Sequence, residues 1–222
     1  MLSSDTLFHY TSSLDILKSI LKNGFIPKYC VEFGWKSRLY RHYCVSMVSF
    51  CDIPLSQVKL HIEMYGNYGI GVTKEWARKN AVSPVSYLTN EFFKKFKKRI
   101  VADSVILSRI KPEIGISRNK ITNVKINNYR YYDEKEWRYV PYDEDYYVDE
   151  NRLNGALQAK RFGALSITPS DIRYIIVNDD SELLEMCMHI DAIWGASTSV
   201  CQNDIIKLKT RILTIDQIKN DF

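Results

Sequence analysis

Tyr131-Tyr132-Asp133-Glu134-Lys135-Glu136-Trp137-Arg138-Tyr139-Val140 is an aromatic, strand-prone run in which one residue separates two carboxylates. Side chains two positions apart share one face of a strand, so Glu134 and Glu136 are predicted to project together, with Lys135 and Trp137 opposite. Arg138 follows on the carboxylate side and offsets only part of their repulsion. This costly arrangement predicts a cleft with a cationic or hydroxyl-rich ligand. The alternative is a solvated strand edge with ordinary charged surface.

The composition is that of a soluble globular protein. At 222 residues, with 45% hydrophobic and 26% charged residues, the chain is predicted to form a single domain over residues 1–222. Five cysteines without framework spacing fit a reducing compartment. The net charge of +5 permits an anionic partner such as a nucleotide or nucleic acid but does not require one.

Targeting signals are not found in the sequence. No apolar run approaches about 18 residues, the length of a membrane-spanning helix. The segment Met1-Leu2-Ser3-Ser4-Asp5 has neither the basic nor the apolar region of a signal peptide. We therefore predict no membrane association and a cytoplasmic location.

The first element is predicted to place polar groups at a strand end. Leu7-Phe8-His9-Tyr10-Thr11 reads as a strand, and Ser12-Ser13 can cap a helix that ends before Gly24. Open sheets commonly bind ligands where strands end, which makes His9 and Thr11 candidates for a binding site. The alternative for His9 is a buried core histidine with satisfied nitrogens.

The next segments mix loop, strand and turn signals. The aromatic and basic stretch 27–41 lacks clean periodicity and is predicted to be a loop that could cover a cleft. Cys44 to Phe50, which contains Ser46 and Ser49, is predicted to be a strand, followed by a helix over 55–63. The run 65–72 contains three glycines, which predict a tight turn and close backbone approach. Their spacing fits neither a phosphate-binding loop nor a dinucleotide fingerprint.

The second half alternates helices and strands. A helix is predicted from Asn90, with Phe92, Phe93, Phe96 and Ile100 facing the core and a lysine-rich solvated face. Strands are predicted over 164–168 and 172–177, and a helix over 181–190. A metal site is not predicted, because the spacing of the cysteines and histidines between 30 and 61 matches no zinc pattern. Serine-hydrolase and thiol-redox motifs are missing as well.

Several blocks together resemble a known family. Leu-Phe-His-Tyr-Thr at 7–11, Ser-Phe-Cys-Asp-Ile-Pro at 49–54, Tyr-Gly-Asn-Tyr-Gly-Ile-Gly at 65–71 and Glu-Lys-Glu-Trp-Arg at 134–138 stand in this order. The chain resembles the AbiGi-type abortive infection proteins of bacterial phage defence from about Leu7 to the C-terminus. The resemblance implies a phage-defence or toxin-antitoxin role, with a cognate toxin or antitoxin as partner.

A more distant resemblance concerns the fold. The order of a strand-end histidine, a serine-bearing strand, a glycine-tyrosine turn and a late Glu-x-Glu strand is similar to the ADP-ribosyltransferase fold, which binds NAD between two small sheets. The resemblance implies that His9 holds a ribose hydroxyl and that Thr11 lies at the nicotinamide end. Tyr65 or Tyr68 would stack on the nicotinamide ring, and Ser49 would lie beside the bound NAD.

The same resemblance implies roles for the two carboxylates. Glu136 would be the catalytic carboxylate that contacts a ribose hydroxyl and stabilises the oxocarbenium-like transition state. Glu134 would position or deprotonate the acceptor, a protein or a nucleic acid. We therefore predict an α+β (mixed α/β) split-sheet domain with flanking helices that acts as an NAD-dependent ADP-ribosyltransferase. The alternative is a non-enzymatic antitoxin that binds a cognate toxin or nucleic acid.

Overall fold

The computed structural model describes residues 4–37, 40–97, 108–141, 147–149 and 163–221. Within these ranges the chain forms thirteen strands and seven α-helices. The strands are β1 (Thr6–Thr11), β2 (Lys28–Ser37), β3 (Tyr40–Cys51), β4 (Tyr68–Thr73), β5 (Ser83–Pro84), β6 (Ser86–Leu88), β7 (Ile110–Pro112), β8 (Ile114–Arg118), β9 (Lys125–Arg130), β10 (Glu136–Tyr139), β11 (Tyr147–Asp149), β12 (Ile172–Val177) and β13 (Ile212–Thr214). The helices are α1 (Leu14–Asn23), α2 (Lys59–Tyr65), α3 (Lys74–Lys79), α4 (Asn90–Lys97), α5 (Leu183–Ile190), α6 (Gln202–Lys209) and α7 (Ile215–Asp221).

Nine strands make one mixed sheet in the order β13-β12-β4-β1-β3-β10-β5, and β2 and β11 also pair with β3. The long strand β3 pairs with two groups of strands. Its first part pairs with β2 and β11, whereas its last residues pair with β1 and β10. The predicted α+β class is confirmed. The ADP-ribosyltransferase-like organisation and the single-domain assignment stay predictions.

Hydrophobic side chains cover both faces of the sheet. Alternation along β1 places Leu7 on one face, and Phe8 and Tyr10 on the other. The Leu7 face packs under α1, α3, α5 and α6, and the Phe8 face packs under α2 and α7. The sheet is therefore a central layer between two groups of helices, and β1 lies in its middle.

Local capping explains where α1 begins and ends. The Ser13 hydroxyl accepts a hydrogen bond from the backbone N–H of Ile16. Gly24 has φ of 77°, and its N–H donates to the carbonyl of Ile20. The predicted boundaries of this helix are confirmed.

The glycine-rich run makes its tight turn at one glycine, Gly66. Gly66 has φ of 124°, and a Cβ there would lie 2.3 Å from the carbonyl oxygen of Thr11. Gly69 and Gly71 lie inside β4, where a Cβ at Gly71 would approach Phe8 to 2.8 Å. Close packing across the sheet, and not turn geometry, accounts for these two glycines.

Other expectations need correction. The predicted loop 27–41 contains strand β2 instead of a lid, because its backbone pairs with β3. The predicted strand 164–168 is reduced to a single bridge between Phe25 and Leu165. The predicted helix 55–63 is a 3₁₀ turn (Leu55–Gln57) followed by α2. The predicted continuation of α4 to Ile100 lies outside the described residues.

Candidate functional site

The two carboxylates of the Glu-Lys-Glu run meet, although not on one strand. Glu134 ends a 3₁₀ helix (Tyr131–Glu134), Lys135 has φ of 42°, and Glu136 begins β10. The prediction that Glu134 and Glu136 share a strand face is therefore wrong. A third residue connects them, because the ammonium of Lys111 on β7 lies 2.8 Å from Glu134 Oε2 and 2.7 Å from Glu136 Oε2. The opposite placement of Trp137 and the same-side placement of Arg138 agree with expectation.

Glu136 is a buried anion with four hydrogen-bond donors. Its Oε1 accepts from the Ser49 hydroxyl at 2.6 Å and from Arg138 Nε at 2.7 Å. Its Oε2 accepts from Arg138 Nη2 at 3.0 Å and contacts Lys111. Burial alone raises the pKa of Glu136, but the charges of Arg138 and Lys111 outweigh it and hold the pKa well below its ordinary value. A carboxylate has about four lone-pair positions, so this one is saturated.

Arg138 is held in place by burial and by a hydrogen bond to the backbone. It is 1% exposed, and its Nη1 donates to the carbonyl of Ser108 at 2.7 Å. The backbone of Glu136 is held as well, because its N–H donates to the Tyr87 hydroxyl at 2.8 Å. The carboxylate of Glu136 therefore has little freedom to turn.

His9 connects to the same group through Ser49. Its Nδ1 lies 2.8 Å from the carbonyl oxygen of Ser49, which can only accept, so Nδ1 carries the proton. Burial lowers the pKa of His9 against the opposing effect of this hydrogen bond. The neutral ring packs edge-on against Phe25 and near Phe50. Its Nε2 is left as an acceptor with no hydrogen-bond partner among the described residues.

An aromatic group surrounds Glu134. The Tyr65 hydroxyl donates to Glu134 Oε1 at 2.8 Å, and His61 stacks on the Tyr65 ring with centroids 4.4 Å apart. Burial lowers the pKa of His61 to about 4, although Glu134 and Glu136 act in the opposite direction. The Tyr10 hydroxyl is buried near His61 and has no partner within the described part of the chain.

These groups lie along one open cleft of about 1750 Å³. One end is formed by α1 and Phe25, the middle by His9, Ser49 and the two carboxylates, and the other end by the β8–β9 hairpin. Five cations are found among its described lining residues, namely Lys28, Lys111, Arg118, Lys120 and Lys125. Only Glu134 and Glu136 oppose them there. The cleft has a cationic balance that suits an anionic ligand.

Comparison with known proteins assigns the family. Residues 23–178 match the family model described as "Putative abortive phage resistance protein AbiGi, antitoxin". The chain belongs to the AbiGi family. It is also 26% identical over 253 aligned residues to the abortive phage resistance protein AbiGi of Lactococcus lactis subsp. cremoris, covering 90% of this chain and all of that protein. No solved structure matches this AbiGi-family chain.

The structure brings most of the predicted site residues of this AbiGi-family protein together. His9, Ser49, Tyr65, Glu134 and Glu136 all line the cleft. Buried Thr11 lines it too.

Tyr68 is placed elsewhere. Its hydroxyl donates to Glu182 Oε1 at 2.8 Å, and it does not line the cleft. Burial and the contact with Glu182 raise the pKa of Tyr68 to about 12. Of the two tyrosines considered for ring stacking, only Tyr65 is within reach of a ligand in the cleft.

Sequence reasoning missed Lys111, His61 and Tyr87. Lys111 stands in a short segment, Ile110-Lys111-Pro112, that carries no local signal, and only the pairing of β7 with β6 brings it to the carboxylates. No group of metal ligands occurs among the described residues. No helix in the described ranges is long and apolar enough to cross a membrane. A smaller cavity of about 350 Å³, between α3 and α6, contains none of the predicted site residues.

Proposed function

We propose that this AbiGi-family protein contributes to abortive phage resistance by binding NAD in the cleft and transferring its ADP-ribose to an acceptor. One observation carries the proposal. The His9 ring donates to the Ser49 carbonyl, and the Ser49 hydroxyl donates to Glu136, so three adjoining strands connect a neutral acceptor nitrogen to a fixed anion, and both residues line the cleft. Lys28 also lines the cleft and supplies positive charge for a pyrophosphate.

The proposed reaction uses these groups in a defined order. The ribose hydroxyls would hydrogen-bond to His9 Nε2 and to Glu136. As the bond between ribose C1′ and nicotinamide nitrogen breaks, its electron pair leaves with neutral nicotinamide, and the anion of Glu136 stabilises the positive charge on the ribose. A hydroxyl or amine of the acceptor then bonds to C1′ and gives up its proton, for which Glu134 is the nearest carboxylate.

The saturation of Glu136 sets a condition on this reaction. Because all four of its acceptor positions are filled, a ribose hydroxyl must displace one donor. Ser49 is the donor most readily exchanged, since one hydroxyl then replaces another of similar strength. Displacing Arg138 or Lys111 would break a buried ion pair, at a far higher cost.

A second candidate is a non-enzymatic antitoxin that binds a cognate toxin. The same saturation favours it, because a carboxylate held by Arg138, Lys111 and Ser49 already fulfils a structural role. In this case the cleft performs no chemistry, and the toxin binds to the protein surface.

One experiment separates the two candidates. The purified protein is incubated with NAD, and nicotinamide release is followed by chromatography while NAD binding is measured by calorimetric titration. Under the proposal, Glu136→Gln lowers the release rate by about a hundredfold or more, and Tyr68→Phe, outside the cleft, leaves it unchanged. If wild-type protein neither binds NAD nor releases nicotinamide, yet suppresses a co-expressed toxin, the antitoxin candidate replaces the enzyme.

A further inference from the structure

The β8–β9 hairpin forms a cationic wall of the cleft, next to the carboxylates. Its seventeen residues, 114–130, include four cations and no acidic residue. Lys120 and Lys125 are exposed and have no ion-pair partner in the described part of the chain. Arg118 donates to the carbonyl oxygen of Asn123 and pairs with no carboxylate of the described ranges, so its charge is not neutralised there either. Unpaired cations on one wall indicate a polyanionic ligand.

A β-bulge in the hairpin places two consecutive asparagines at the cleft. The register between β8 and β9 shifts between Gly115 and Ser117, so that Ile116 opposes both Asn127 and Asn128. Asn128 adopts the left-handed conformation with φ of 54°, which opens the bulge. Both asparagines line the cleft, and neither side-chain amide has a hydrogen-bond partner among the described residues. An amide offers a donor and an acceptor side by side, the pattern that reads the edge of a nucleobase.

The hairpin is fixed before any ligand binds. An isolated two-stranded hairpin is only marginally stable, but this one is attached at both ends. At its tip, the Asn119 side chain donates to the carbonyl of Glu63, and the Lys120 N–H donates to the carbonyl of Met64. At its base, the Tyr131 N–H donates to the carbonyl of Glu113. The backbone that carries its cations and amides therefore needs no ordering at the moment of binding.

The cleft also has space for a second ligand. Ligand pockets commonly measure about 300 to 1,000 Å³, and this cleft of about 1750 Å³ exceeds that range. The additional volume fits a strand of a few nucleotides beside a dinucleotide. A double helix presents its bases inside the duplex, whereas a single strand can turn a base towards the asparagines.

We propose that the β8–β9 hairpin binds single-stranded nucleic acid, with Arg118, Lys120 and Lys125 on the phosphates and Asn127 and Asn128 on a base edge. The proposal deepens the proposed function, on which it rests for the identity of the acceptor, by making the acceptor a nucleic acid. Binding itself requires no NAD. The two can therefore be tested separately on the same protein.

The test uses fluorescence polarisation with a labelled single strand of about twelve nucleotides, a usual site size, as DNA and as RNA. We expect the double variant Lys120→Gln/Lys125→Gln to weaken binding and to lower the salt dependence of the affinity by about 1.4, at roughly 0.7 for each lost phosphate contact. Asn127→Ala/Asn128→Gly should weaken binding by about tenfold without changing the salt dependence, because glycine keeps the left-handed conformation. Lys219→Gln, at an exposed lysine of α7 outside the cleft, is the control for loss of surface charge.

Three results would overturn the inference. They are the lack of a polarisation change with wild-type protein, equal affinities for the lysine variant and Lys219→Gln, and equal displacement of the strand by polyglutamate of matched charge, which would indicate an acidic protein partner. Titration with NAD on the same variants keeps the two proposals apart. If the protein binds the single-stranded nucleic acid but not NAD, the proposed enzyme function is wrong and the hairpin is still a nucleic-acid site.

Discussion

Replacing Glu136 by glutamine is expected to destabilise the fold, although the two side chains have the same shape. The carboxylate contacts Arg138 at 2.7 and 3.0 Å and Lys111 at 2.7 Å, and all three residues are buried or nearly so. The amide keeps one acceptor oxygen but turns an NH₂ group towards these cations. Removing one partner of a buried ion pair costs about 3 to 5 kcal/mol.

The contacts that remain in the variant place the expected loss of stability near the lower end of that range. Lys111 keeps its contact with Glu134 at 2.8 Å, and Arg138 keeps its bond to the carbonyl of Ser108 at 2.7 Å. Neither cation is left without a partner. For a chain of 222 residues, a loss of about 3 kcal/mol lowers the melting temperature by roughly 6 to 12 °C.

Thermal and urea unfolding followed by circular dichroism measure this loss. The control is Glu75→Gln, because Glu75 also lies 2.8 Å from a lysine, Lys79, but on the exposed surface of α3. That variant should melt with the wild type, since exposed ion pairs contribute little. If Glu136→Gln melts within a degree of wild type, the carboxylate is not held by four donors and is not saturated. Any activity assay on this variant must therefore be run well below its melting temperature.

Three further substitutions test separate parts of the site and fold. His9→Ala should cost about 2 to 4 kcal/mol of stability, because it opens a cavity between Phe25 and Phe50 and leaves the Ser49 carbonyl without its donor; under the proposed function it also weakens NAD binding by about 1 to 2 kcal/mol in calorimetric titration, and unchanged affinity would remove His9 from the ligand site. His61 has a folded pKa of about 4, below its unfolded value of 6.5, so the unfolded state takes up a proton first and stability falls by about 3 kcal/mol as the pH drops from 6.5 to 4. Urea unfolding at a series of pH values measures this loss of stability, and His61→Phe should abolish it. The loss at lower pH that the lowered pKa of Glu136 causes should remain in the variant. If the stability of His61→Phe still falls as steeply as that of wild type between pH 6.5 and 4, His61 is not its cause. Gly66→Ala should cost about 3 kcal/mol or more, since its Cβ would meet the Thr11 carbonyl oxygen at 2.3 Å, whereas Gly195→Ala, with ordinary contacts of 3.6 Å or more, should melt like the wild type.

Local signals in the sequence predicted local structure well. Ser13 caps α1 through its hydroxyl oxygen, which accepts from the backbone N–H of Ile16 three residues later. Gly24 ends α1 through a positive φ. Each of these interactions lies within a few residues of chain, so residue type alone is enough to predict it.

Long-range pairing is where the predictions from sequence were wrong. β2 has no clean alternation, and it is a strand only because β3 pairs with it over most of its length. Conversely, residues 164–168 have strand-like composition but form only a single bridge, to Phe25. Strand formation depends on the partner more than on intrinsic preference, and a single sequence does not display the partner.

The same limit applies to the candidate site. Spacing correctly directed attention to Glu134 and Glu136, but it assumed a continuous strand where the chain makes a 3₁₀ turn and a left-handed residue. Their contact depends on Lys111, whose position is set by strand pairing far from the Glu-Lys-Glu run. Sequence reasoning also could not choose between Tyr65 and Tyr68, since both flank the same glycines.

Ser49 is the residue on which the choice between enzyme and antitoxin depends. Its carbonyl accepts a hydrogen bond from His9 and its hydroxyl donates one to Glu136, so it joins the two groups that the proposed NAD site requires. The carbonyl contact belongs to the backbone and survives any exchange of the hydroxyl. A ribose hydroxyl could therefore take the place of the Ser49 hydroxyl on Glu136 while His9 stays oriented, and the cations Arg138 and Lys111 keep the carboxylate ionised throughout. The ion pairs that make Glu136 appear purely structural are, by this argument, also what would keep it a fixed anion during the proposed transfer.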